Sequence, residues 1–373
     1  MGQETDSRGD IHGDIRGDIR GDIHGDIAIV GGRILTGLLD VTSDVSALDG
    51  AGTWAVVLPF DGPPVCARFE RVTIPALGWP AGLGREWRTR RAPAPEVTGW
   101  ASSLDRHAYT KGVDAVREAI AAGDVYQVNL CRRLSAPLPA GFDLLALGAA
   151  LFTSHPAPHQ ALVHLPEAGV AVASASPERF LRRRGDVVES SPIKGTAVTA
   201  AGLTDKDRAE NVMIVDLVRN DLGRVCEYGS VEVPELWRVE SQPGLVHLVS
   251  TVRGRLRPRT GWGELLDATF PPGSVTGAPK LAALDAIAAL EPVPRGVYCG
   301  AVGWVDAERG EADLNVAIRT FWVSDGALHL GTGGGITWES DPIAEWEETE
   351  LKARRLLAVA AGSGAGSGVS AVR

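Results

Sequence analysis

Large apolar residues recur at every second position along residues 126–131 and again along 314–319, and this period-two pattern narrows the fold more than any other feature. In the first run Tyr126, Val128 and Leu130 take one face, while Gln127, Asn129 and Cys131 take the other. Two amide side chains therefore share a face. In the second run Leu314, Val316 and Ile318 oppose Asn315, Ala317 and Arg319, and the turn Ser324-Asp325-Gly326 folds the chain back onto residues 328–331 as a hairpin. Further strands are expected at 171–182 and around Val187, at 297–305, and as short runs between 28 and 80. Helices interrupt them. One carries Tyr109, Val113, Val116 and Ile120 on one face, with Gly123 just past its end. Others are expected over 205–220, over 279–290 with Pro279 in the first helical position, and over 342–361. Strand pairs joined by turns and broken by helices predict an α+β fold rather than a doubly wound sheet.

The ends read differently. Residues 1–27 carry a repeated Gly-Asp-Ile-Arg/His tetrapeptide and are expected to be a disordered tail; 362–373 are a Gly/Ser-rich flexible tail. Between them, 28–95 form a strand-bearing amino-terminal part whose last stretch, 84–95, reads as a linker or exposed loop, and 96–361 form the main unit. With 44% hydrophobic and 23% charged residues, the chain has the composition of a soluble globular protein. A net charge of −10 argues against nucleic acid or an anionic membrane as partner. No apolar run reaches the roughly 18 residues of a membrane span. Cys66, Cys131, Cys226 and Cys299 are scattered without metal or disulfide spacing, which fits a reducing cytoplasm.

Lysine is scarce: of 37 cationic residues only Lys111, Lys194, Lys206, Lys280 and Lys352 are lysines. A lysine can lose its proton and act as a nucleophile where arginine cannot. Lys194, inside Pro192-Ile193-Lys194-Gly195-Thr196, sits in a glycine-bounded turn, where a solvated side chain is the plain expectation. Two helices carry acidic pairs one turn apart, Asp207 with Glu210 and Glu345 with Glu348. Opposed, these four carboxylates would need a hard divalent cation such as Mg²⁺. Spacing alone favours plainer roles: Thr204–Asp207 as a helix cap, and Glu348 with Lys352 as a surface ion pair. Gly333-Gly334-Gly335 can bring backbone N–H groups close to an anion. The run 273–280 lacks the Gly-Lys-Ser/Thr ending of a phosphate loop, so nucleotide binding is not expected. His247, in an apolar stretch, reads as a hydrogen-bonded core histidine.

Taken together and in order, DVYQVNL (124–130), SASPERF (174–180), SSPIKGT (190–196), KDRAENVMIVDLVRNDLGRV (206–225), LVHLVST (245–251), FPPGSVTGAPK (270–280), VYCGAVGW (297–304), NVAIRT (315–320), GTGGGI (331–336) and EWEETELK (345–352) resemble the chorismate-utilising enzymes, anthranilate synthase component I and aminodeoxychorismate synthase component I. The resemblance covers about 101–361. It implies a sandwich of two large antiparallel sheets flanked by helices, and Mg²⁺ held by Glu210 and Glu348 with Asp207 and Glu345 in support. It implies Lys194, Glu178 and His247 as catalytic residues, Glu178 being the acid that protonates the departing 4-hydroxyl. Substrate contacts would come from Gln127, Thr276, Tyr298, Arg319, Gly333, Gly334, Gly335 and Lys352.

Two positions divide the family. Isochorismate and salicylate synthases carry a water-activating lysine where this chain has Gln127. Anthranilate synthases carry alanine where it has Lys194, and the lysine form resembles aminodeoxychorismate synthase. The resemblance thus implies chorismate as substrate, 4-amino-4-deoxychorismate as product, and a separate glutamine amidotransferase as ammonia source, because no cysteine here sits in a Gly-x-Cys-x-Gly elbow. The amino-terminal part is shorter than in typical relatives, so no tryptophan feedback site is expected.

Overall fold

The computed structural model describes residues 25–75, 96–242 and 245–362. The expected linker at 84–95, residues 1–24 of the repeat and residues 363–373 lie outside them. The described residues form eighteen strands and six α-helices: α1 (Arg106–Ala122), α2 (Leu144–Ser154), α3 (Asp205–Gly223), α4 (Trp262–Thr269), α5 (Lys280–Leu290) and α6 (Pro342–Ala360). Local sequence explains most ends. Gly123 closes α1 with φ 85°, donating back to Ala119 and Ile120. Thr204 and Asp207 cap α3 reciprocally. Pro342 opens α6 after an Asp341 cap. Pro279 caps α5 instead of standing inside it, because its ψ of 144° is extended.

The strands are all antiparallel and make one ladder. One half runs from Gln127–Pro137 through Ala327–Ile336, Thr320–Ser324 and Val170–Ser176 to His159–Leu165. The other runs from Ala301–Asp306 through Glu311–Val316, Arg179–Arg184 and Val187–Ser191 to Leu245–Arg255. Four amino-terminal strands pair in the order Ile27–Val30, Arg33–Thr42, Val65–Thr73, Thr53–Leu58, and they tie His159–Leu165 to Ala301–Asp306. The expected two large sheets are therefore a single curled one, because these hairpins zip the halves together. Ile27, assigned from sequence to the tail, is buried in the first of them. At the far end Ile193–Ala197 continues along one edge of Leu245–Arg255, and Glu232–Gln242 pairs the other edge. The largest apolar cluster includes Trp54, Phe69, Trp304 and Trp262; a second lies beneath α2 and α6.

Three expected strands end sooner or run on. The stretch 171–182 breaks at Pro177-Glu178, where the chain leaves Val170–Ser176 in one half of the ladder and enters Arg179–Arg184 in the other. A proline inside a strand favours such a break. The stretch 314–323 breaks at 317–319, and Arg319 takes φ 52°. The hairpin at Asp325-Gly326 forms as expected, with both residues at positive φ as a type I′ turn needs. Its second strand continues to Ile336, so Gly333–Gly335 lie within a strand.

Helix α3 packs on Leu245–Arg255 and Ile193–Ala197, while α6 packs on Ala327–Ile336 and α1. The acidic helices thus ride on opposite ends of the ladder. The loop 271–279 is pinned near Gln127–Pro137 by Arg295, whose side chain is 2% exposed. Arg295 donates to both oxygens of Glu291 (2.6 and 2.8 Å), to Val275 O (2.8 Å) and to Asn129 O (2.6 Å). Breaking a buried pair strands the remaining charge. Arg295→Met is expected to lower stability by about 3–5 kcal/mol in urea unfolding, and Arg295→Met with Glu291→Leu to recover part of that loss. Equal stabilities for wild type and single variant would remove Arg295 from this role.

Candidate active site

The two ends of the ladder meet at one spot. A Cβ placed on Gly335 would lie 2.5 Å from Gln127 Nε2 and 3.2 Å from Lys194 Nζ. Gln127 and Gly335 belong to the first strands of one half, whereas Lys194 belongs to Ile193–Ala197 at the far end of the other. Along the glycine strand, Gly331, Gly333 and Gly335 turn the same face, meeting Tyr298, Cys131, and Gln127 with Lys194 in turn. That row spans about 13 Å. Any side chain there would collide with these neighbours. Gln127 is fully buried, and neither atom of its amide has a hydrogen-bond partner among the described residues. An orphaned amide of this kind is costly unless something else binds it.

The glycine strand also offers an open edge. Its last pair with Thr320–Ser324 is Leu330 with Phe321, so beyond Leu330 that edge has no strand partner. On the other side Gly333 faces Cys131, and Gly335 faces Asn129. Cys131 N–H donates to Glu291 and Asn129 N–H to Thr276 O, both away from the glycines, which marks these as non-hydrogen-bonded pairs. The N–H and C=O groups of Gly333 and Gly335 therefore point to the open edge. Lys352 Nζ already donates to Gly333 O there, at 2.9 Å.

Lys194 is surrounded by carboxylates. Burial drives its proton affinity down, the charges of Glu210, Glu178 and Glu348 work against that, and Lys352 adds to it; the net direction is a lowered pKa. Glu178, 4% exposed, sits at the crossover after Pro177. Burial raises its carboxyl to about 7, although hydrogen bonds from Ser274 and the Ile193 backbone and the charge of Lys194 oppose the rise. Glu210 is raised by burial despite Lys194 and Lys206, the latter 3.9 Å away. Glu345 is raised by burial and by Glu348, and accepts from Ser340 at 2.6 Å. Burial alone would raise Glu348 too, but Lys352 at 2.7 Å, together with Lys194 and Lys206, brings it below its ordinary value.

His247, 1% exposed, is lowered to about 4 by burial and by the charge of Arg319, so it is neutral at pH 7. Both plain expectations for the acidic pairs are met. Asp207 Oδ2 accepts the N–H and O–H of Thr204, each at 2.7 Å, and Glu348 pairs with Lys352. Asp207 is thus a cap that also packs against Gly195, and not a free carboxylate. Thr276 spends its hydroxyl on Pro272 O and Gly273 O, while Ser274, two residues earlier in the same motif, supplies the contact to Glu178. Tyr298 packs on Gly331, at the end of the row away from Lys194. Lys206, Ser274 and Ser340 escaped the sequence reading; only Lys206, four residues before Glu210, carried a signal.

Among the described residues no three acidic, His or Cys groups stand close enough to grip a metal ion as they are. The donor chemistry nevertheless suits a hard cation. Glu210, Glu345 and Glu348 come from two helices, Glu348 raises the proton affinity of the other two, and lysine ammoniums now hold the positive positions. All four cysteines are free and buried, and no described helix is long and apolar enough to cross a membrane.

Four comparisons bear on this cleft. Anthranilate synthase component 1 of Streptomyces coelicolor is 42% identical over 297 residues, covering 72% of this chain and 57% of that protein. Aminodeoxychorismate synthase of Streptomyces pristinaespiralis is 44% identical over 275 residues, covering 70% of this chain and 38% of that protein. The chain therefore spans well under two thirds of either relative. The crystal structure of anthranilate synthase component I from Streptococcus pneumoniae superposes with a TM-score of 0.69 at 26% identity, covering 83% of this chain and 80% of that one. The family model described as chorismate binding enzyme matches residues 85–358, which hold every residue of the cleft, and the chain belongs to that family.

Proposed function

We propose that this chain is the aminating subunit of an aminodeoxychorismate synthase, converting chorismate and ammonia to 4-amino-4-deoxychorismate. The observation that carries this reading is Lys194: a half-buried amine of lowered proton affinity, beside a carboxyl that stays partly protonated at neutral pH. The Lys194 amine attacks ring carbon C2, both ring double bonds shift (to C1=C6 and C4=C5), and the C4–oxygen bond breaks. Glu178 gives its proton to the leaving hydroxyl, which departs as water. Ammonia then bonds to C4, both double bonds shift back, and the bond from C2 to Lys194 breaks, with the surplus ammonia proton returning to the Glu178–Lys194 pair.

Glu210 and Glu348, with Glu345 behind them, would hold Mg²⁺, which when bound binds the ring carboxylate and draws electron density from the ring. The open-edge N–H groups of Gly333 and Gly335 and the Arg319 guanidinium suit carboxylate oxygens. Gln127 can donate and accept hydrogen bonds but cannot take a proton from water, which disfavours hydroxide transfer. A glutamine amidotransferase partner would supply ammonia. One relative is named component 1, in keeping with a multi-component enzyme.

Anthranilate synthase activity is the second reading, because relatives of both names match at similar identity. Incubating the chain with chorismate, Mg²⁺ and ammonium, then identifying products by mass spectrometry, separates the two: 4-amino-4-deoxychorismate is expected, and anthranilate would refute the first reading. Lys194→Ala is expected to lower amination about a thousandfold or more; an unchanged rate removes the nucleophile. Glu178 must be protonated to act, so the rate at constant free ammonia is expected to fall as pH rises through about 7. Glu178→Gln should lose that limb, and a limb that persists assigns it to another group. Glu210→Gln is expected to raise the Mg²⁺ concentration needed for half-maximal turnover by about tenfold or more. An unaltered Mg²⁺ dependence would take Glu210 out of the metal site.

A further inference from the structure

Of the five lysines in this arginine-rich chain, three gather at the cleft: Lys194, Lys206 and Lys352. Lys206 Nζ lies 3.9 Å from Glu210 Oε1, and Lys352 Nζ lies 2.7 Å from Glu348 Oε1. Helix stability does not explain Lys206. It is the second residue of α3, where the positive end of the helix dipole repels a cation. A lysine four residues before a glutamate is also the weaker order of an i, i+4 pair. The two acids of that turn are spent elsewhere, Asp205 on Arg208 at 2.6 Å and Asp207 on Thr204. What Lys206 serves is Glu210.

The choice of lysine over arginine has a physical consequence here. A guanidinium grips a carboxylate with two parallel N–H bonds, whereas an ammonium makes a point contact that a competing cation can replace. Two ammoniums also carry the charge of one divalent cation. Each has somewhere to go. Lys352 already donates to Gly333 O at 2.9 Å and can keep that bond when it leaves Glu348. The Lys206 side chain is 44% exposed and can turn into water, while Glu210, at 20%, is less hydrated and depends more on a neighbouring cation.

We propose that Lys206 is a displaceable counter-ion, which holds Glu210 until a divalent cation takes its place and so sets how tightly the cleft takes Mg²⁺. Lys352 stands in the same relation to Glu348. This rests on the metal role proposed for Glu210 and Glu348 and deepens it, by naming the group against which the cation competes. Lys206 is exposed, so replacing it should not disturb the fold.

Calorimetric titration of the full chain with Mg²⁺, with chorismate absent and then present, tests this without reading turnover. Lys206→Met is expected to tighten Mg²⁺ about threefold, the worth of a half-exposed ion pair. Lys206→Arg is expected to weaken it about twofold, since the fork holds Glu210 more firmly. Arg208→Met removes the same charge two residues on, from the other side of α3 where Arg208 meets Asp205, and is expected to change the affinity less than about 1.5-fold. Equal Mg²⁺ affinity in wild type and Lys206→Met, equal tightening by Lys206→Met and Arg208→Met, or tightening by Lys206→Arg overturns the counter-ion role and leaves the metal assignment standing. A wild-type chain that takes up no Mg²⁺ even with chorismate sinks both.

Discussion

The site depends on the close approach of Lys194 to Gly335, because these residues belong to opposite ends of one hydrogen-bonded ladder. An ammonium in such a place would lose hydration, and the carboxylates around it would have to make good the loss. Glu210, Glu178 and Glu348 pull the proton on, while burial and Lys352 push it off, and burial prevails. Any cation settling on Glu210 and Glu348 would mask two of those three pulls. Protonation of Glu178 would weaken the third. The same arrangement that frees the lysine therefore also leaves a proton on the neighbouring acid, and both states are what nucleophilic displacement of a hydroxyl needs.

The curl that brings the ends together is made by the amino-terminal hairpins. Without Ile27–Val30 against His159–Leu165, and Thr53–Leu58 against Ala301–Asp306, the two halves would share no strand pairing between those strands. A segment without a proposed catalytic residue thus joins the two halves that carry the cleft. The chain crosses between the halves several times, and two of the crossings fall at Pro177-Glu178 and at 317–319. Both place a proposed site residue, Glu178 or Arg319, where ladder pairing lapses. Backbone freed from a ladder can aim a side chain into a cleft that a regular strand would turn away from.

Much of this was legible in the sequence, for reasons that differ by residue. The alternation around Gln127 put its amide on the same face as Asn129, and the fold keeps it there. Thr204-x-x-Asp207 spelled a cap, and a cap formed. Those signals are local. The single ladder was not legible, since the pairing of residues 27–30 with 161–164 leaves no trace in either stretch alone. The choice of Ser274 over Thr276 was hidden as well, because spacing within a loop does not say which hydroxyl turns outward. Apolar residues at every second position up to Ile318 suggested a straight strand through Arg319, and the left-handed turn there overrides it.

Asp207 shows why paired carboxylates on a helix are ambiguous evidence for a metal. Its Oδ2 is committed to two hydrogen bonds from Thr204, which fix the first turn of α3 and so the direction in which Glu210, one turn on, projects. Gly195 packs directly against the Asp207 side chain, where a Cβ would come within 2.8 Å. The glycine after Lys194 therefore lets the nucleophile's strand lie close against the capped end of α3. Through these two contacts Asp207 fixes how the strand of Lys194 and the first turn of α3 lie against each other. An acidic residue that looks like half of a metal site can be the spacer that makes the other half usable.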